Sequence, residues 1–234
     1  MSHSFPYSNI YIKNPNTIYM ASEVSSIITA IIVLTIVSGF YFAYPSEHQD
    51  FNLVALSFLF SIIIIFIHVF SKKLMAFMLD SDVTHEIWSW SRYGLVPHHY
   101  LKTPIPLGII FPLIISLFTL GLFKFPTILT YEARALKAKA AKRFGFYSFS
   151  AVTEWENGLI GAAGIVSLLI LSMVLYFLPS NFEYFAKITI FYALFNLVPI
   201  SKLDGTQIFF GSRILWISIS IIALVFTFFA LTQL

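Results

Sequence analysis

Long apolar runs recur along this chain, and they restrict its fold more than any motif does. Residues 24–44, 53–71, 158–178, 184–200 and 213–234 each read as a membrane span. A bilayer core of about 30 Å takes about 20 helical residues to cross. In hydrocarbon only helices and closed barrels satisfy every backbone polar group. Of the 234 residues, 58% are hydrophobic and only 11% are charged, which no ordinary soluble domain shows. The expectation is an all-α, polytopic helical membrane protein folded as one domain over residues 1–234, with five to six transmembrane helices. The first run begins near Val24, behind a polar stretch with Asn14, Pro15 and Asn16. It is too long for a cleaved leader and lacks the basic flank of one.

Composition excludes several functions. There is no cysteine, so disulfides, thiolate metal sites and cysteine nucleophiles are ruled out. The net charge of +3 is modest, and no nucleic-acid signature is present. The basic residues instead report topology. Ten of the fourteen Lys and Arg residues fall between Lys72 and Glu156. Four precede a sixth run, 104–125, and six lie at its end or beyond it, and this run carries Pro104, Pro106 and Pro112. The positive-inside rule places both flanks in the cytoplasm. The segment 72–157 is therefore expected to be cytoplasmic, with 104–125 re-entrant or lying on the surface. Residues 1–23 are then cytoplasmic too.

With that topology, two rare polar residues lie at similar depth. His68 sits in "FIHVFSKKLMAF", residues 66–77, near the inner end of its span. Asp204 follows the run 184–200 in "FNLVPISKLDG", residues 195–205, on the same side. An ionisable group beside hydrocarbon is costly and marks a site or a partner. Imidazole with carboxylate points to zinc or to proton handling. Hydrolytic zinc sites add a second His at helical spacing and a Glu to activate the bound water.

The stretch "NLVPISKLDG" resembles the Asn-x-x-Pro…Leu-Asp-Gly motif of the site-2 protease family, intramembrane zinc metalloproteases. Asn196, Pro199, Leu203, Asp204 and Gly205 carry the match, and the resemblance implies that Asp204 stands where that family has its third zinc ligand. His68 matches the first His of the family's His-Glu-x-x-His motif, and Ala76 the small residue that trails it. "GLIGAAGIVSLL", residues 158–169, resembles the family's Ala-Gly-Pro stretch, with Ile165 in place of proline. The similarity covers residues 55–212. Two positions depart from it: Val69 replaces the catalytic Glu, and Lys72 replaces the second His. Valine takes no proton from water, and an ammonium offers zinc no lone pair. The resemblance thus implies the family fold with His68 and Asp204 as a remnant metal pair, no intact catalytic residue and no cofactor. The expected function is a pseudo-protease that binds a membrane protein or a transmembrane helix within the lipid bilayer. A structural subunit of a larger membrane complex is a second reading. An active zinc protease with a rearranged site is a third, with His85, Glu86, His98 and His99 as replacement ligands or base.

The substitution carries its own prediction. An Asp204 without metal needs a counter-charge, and Lys72 occupies the vacated position. A Lys72–Asp204 ion pair is expected, against the alternative that Lys72 and Lys73 snorkel to the interface. Trp88, Trp90, Tyr93 and Tyr100 read as an interfacial aromatic belt. "EARALKAKAAKRFG", residues 132–145, reads as a basic surface helix. Thr153 and Glu156 have capping-box spacing. Gly158, Gly161 and Gly164 offer a close-packing face, for this chain or for a partner. Gln207 and Arg213 are placed to bond Asp204 or hold the interface.

Overall fold

A computed structural model describes residues 15–43, 51–92, 100–120, 124–136, 152–178 and 182–232. The described residues are mostly helical. Four helical stretches are long and apolar enough to cross a membrane: Ser22–Phe40, Val54–Met78, Glu154–Tyr176 and Arg213–Thr232. They fall within α1 (Pro15–Ala43), α2 (Phe51–Met78), α4 (Glu154–Tyr176) and α7 (Arg213–Thr232).

The run at 184–200 holds a helix shorter than the span expected there. Its helix, α5 (Glu183–Asn196), has 14 residues, about 21 Å at about 1.5 Å per residue, short of a full crossing. Asn196 closes it by donating its side-chain amide to the Tyr192 carbonyl at 2.8 Å. The chain then turns through Pro199 and Ser201, whose φ of 57° is left-handed, into a short helix α6 (Asp204–Gly211). Gly205 is required at that turn, because a Cβ there would collide with the Leu197 carbonyl.

Two short strand pairs lie among the helices, which an all-α expectation did not include. β1 (Ser81–Ile87) pairs antiparallel with β4 (Leu129–Ala135), and β2 (Trp90–Arg92) with β3 (Tyr100–Ile105). Residues 132–135, expected to begin a basic helix, are strand because they pair with Ser81–Thr84. Tertiary pairing overrides their high helix propensity; the rest of that expectation, 137–145, lies outside the described residues. Between the pairs runs α3 (Leu107–Phe118), 12 residues and about 18 Å long. The Gly108 N–H donates to the Trp88 carbonyl, and the Trp88 N–H to the Ile128 carbonyl, both at 2.8 Å. The excursion 107–128 thus leaves from and returns to one place beside Trp88. Trp88 itself is buried, 6.4 Å from the Phe111 ring.

Lipid is as apolar as leucine, so apolar burial alone does not hold such helices together; close approach and polar contacts do. The glycines of α4 supply the first. Gly158 meets the backbone of α6 at Gly211, Gly161 meets Tyr131 and Asp204, and Gly164 meets Lys72 and His68. The glycine face is therefore used within the chain. At its start, α4 carries the capping box expected from the sequence. The Thr153 N–H donates to Glu156 Oε2 at 2.9 Å, and the Glu156 N–H to Thr153 Oγ1 at 3.3 Å. On α2 the exposed residues Phe58, Ile62, Phe66 and Phe70 recur every fourth position, and Phe60, Ile64, His68 and Lys72 do the same on the buried face. His68 and Lys72, one turn apart, hence point together into the bundle.

Candidate functional site

Asp204 opens α6 at the point where α2, α4 and α5 converge. It is wholly buried, as are His68, Lys72 and Tyr192. Lys72 Nζ lies 2.8 Å from Asp204 Oδ1 and 2.7 Å from Oδ2. His68 Nε2 lies 2.9 Å from Oδ2. A carboxylate only accepts, so this ring nitrogen carries the hydrogen. His68 Nδ1 then accepts from the Tyr192 hydroxyl at 3.1 Å. Lys72 Nζ also sits 4.5 Å from the centroid of Tyr131, a cation–π contact. Tyr131 donates to the Asn157 carbonyl at 2.6 Å, and burial holds its own hydroxyl well above its usual pKa. The charge of Lys72 matches that of Asp204, and imidazole, hydroxyl and aromatic ring complete the surroundings.

This arrangement does not fit zinc. Among the described residues at this centre, His68 and Asp204 are the imidazole and carboxylate that zinc would take, and an ammonium presses on both oxygens of the carboxylate. Among the described residues no three His, Asp or Glu side chains gather in a way that could hold a metal ion. Val69 packs against the apolar core and supplies no base.

The other candidates separate. His85 is buried on β1, where burial pushes its pKa down. Its Nδ1 lies 3.0 Å from Glu23 Oε1, and its backbone N–H is 3.3 Å from the same oxygen. Lys73 Nζ joins the same carboxylate at 2.9 Å, so Lys73 is anchored where Lys72 is buried. Glu86 faces outward and lines a polar cleft of about 160 Å³ with Thr130, Lys202 and Gln207. His98 and His99 lie outside the described residues. Asn196 is buried and ends α5, Pro199 is exposed in the turn, and buried Leu203 precedes α6. Gln207 pairs with Asn157, accepting at 2.6 Å, and Arg213 lies over the Phe209 ring. The sequence reading missed Glu23. The available signal was a lone acid at the very start of an apolar run.

Fold and site define a membrane protein with a buried Lys–Asp–His centre. No protein-family model matches the chain, and neither a curated protein nor a solved structure does.

Proposed function

We propose that this chain is a proteolytically inactive membrane protein of the site-2 protease type, which binds a membrane protein or transmembrane helix within the bilayer. Lys72 carries the reading: its ammonium sits on Asp204 at the position that would otherwise hold a ligand imidazole. Val69 supports it, since an apolar side chain takes the place of the base. The segment 72–157 lies on the cytoplasmic side, and 104–125 is a re-entrant excursion; the shared start and finish of 107–128 beside Trp88 supports this placement. The expected outcome in lipid vesicles, with a single-pass substrate peptide and added zinc, is no cleavage. Cleavage that disappears in Asp204→Ala would overturn the proposal.

A further inference from the structure

We propose that the β1–β4 ribbon is a cap over the Lys72–Asp204 pair, latched shut by Glu23 of α1 through His85. The ribbon is a single antiparallel ladder, and two strands alone are marginal in water. Its position therefore depends on what ties it to the bundle. In the register, His85 lies opposite Tyr131, so the two side chains stand next to each other on one face. That face is buried. Tyr131 covers Lys72 and holds α4 through the Asn157 carbonyl. His85 holds α1 by two contacts to one Glu23 oxygen.

The closed position is not fully satisfied. Among the described residues, His85 Nε2 on the buried face has no hydrogen-bond partner. Such groups gain water when a segment lifts, which lowers the cost of local opening. Along the ribbon's flank the cleft lined by Thr130, Tyr131, Asn157 and Gln207 forms a seam with α4 and α6. Opening along this seam would uncover Tyr131 and then the ion pair. Glu23 is what opposes it from the far side, and nothing in this contact set depends on whether the Asp204 centre ever held a metal.

The chain lacks cysteine, so one introduced thiol reports alone. Val83 is 1% exposed beneath the ribbon, and Val83→Cys changes little volume. In the full chain in lipid nanodiscs, adding Glu23→Gln should raise the maleimide labelling rate at this thiol by at least about tenfold, the signature of local opening. Leu168→Cys, in the core of α4, should label no faster in the same background. Lys73→Met leaves the His85 contact in place and should change Val83→Cys labelling by less than about twofold, as expected for an exposed ion pair. Unchanged labelling at Val83→Cys with Glu23→Gln would overturn the latch. So would an equal rise at Leu168→Cys, which would mean general loosening, or an equal effect of Lys73→Met, which would place the restraint on α2.

Discussion

Lys72 decides the character of the site. Its side chain sets an ammonium against a carboxylate that is buried on all sides. A buried pair adds little net stability over apolar packing, but removing one partner strands the other charge. Lys72→Met should therefore lower stability by roughly 3–5 kcal/mol, read as thermal unfolding in detergent. Lys72→Met with Asp204→Asn should recover much of that loss, because no charge is then left unpaired. A single variant as stable as the parent would show that the pair is not the internal staple. At this scale the sequence was informative. His68, Lys72 and Asp204 stand out because ionisable residues are rare in apolar runs, and the spacing of 68 and 72 puts both on one helix face. Glu23 was harder to read, since its role depends on His85 and Lys73, which come 50 or more positions later.

Among the elements, α4 does the positioning. Its glycines let α6 and α2 approach closely enough to bring Asp204 onto Lys72. A Cβ at Gly164 would lie 2.6 Å from Lys72 Cε and 2.9 Å from His68 Cδ2. Both neighbours are buried, so neither can swing away. Gly164→Ala should cost about 1–3 kcal/mol, as overpacking does. Gly39 offers the contrast: a Cβ there meets only Val54 Cγ1, at 3.7 Å, so Gly39→Ala should leave the unfolding temperature within about a degree or raise it slightly. Equal effects of the two would contradict the account of the glycine face. The capping box was legible because it is written in four consecutive residues. The β1–β4 ribbon was not: its strands are separated by more than forty positions, and local periodicity carries no record of that partner. For α5, hydropathy located the apolar run, but the helix ends early at Asn196, and the turn through Pro199 takes up the remainder.

For the whole molecule, the four long apolar helices follow directly from composition, because hydrocarbon leaves few alternatives to helix. At 107–118 the run expected from the sequence is a helix of 12 residues, about 18 Å long and shorter than a full crossing. The central claim concerns what the assembled chain holds at Asp204: an internal ion pair in place of a metal. It is tested most directly by zinc content. Purified wild-type protein and Asp204→Ala, exchanged into metal-defined buffer and measured by elemental analysis, should both contain far less than one zinc per chain, since a stable site takes about three or four protein ligands. About one zinc per chain in the wild type, lost in Asp204→Ala, would contradict the account. The ammonium of Lys72 would then have to leave the carboxylate, and His85, His98 and His99 would become the ligands to test.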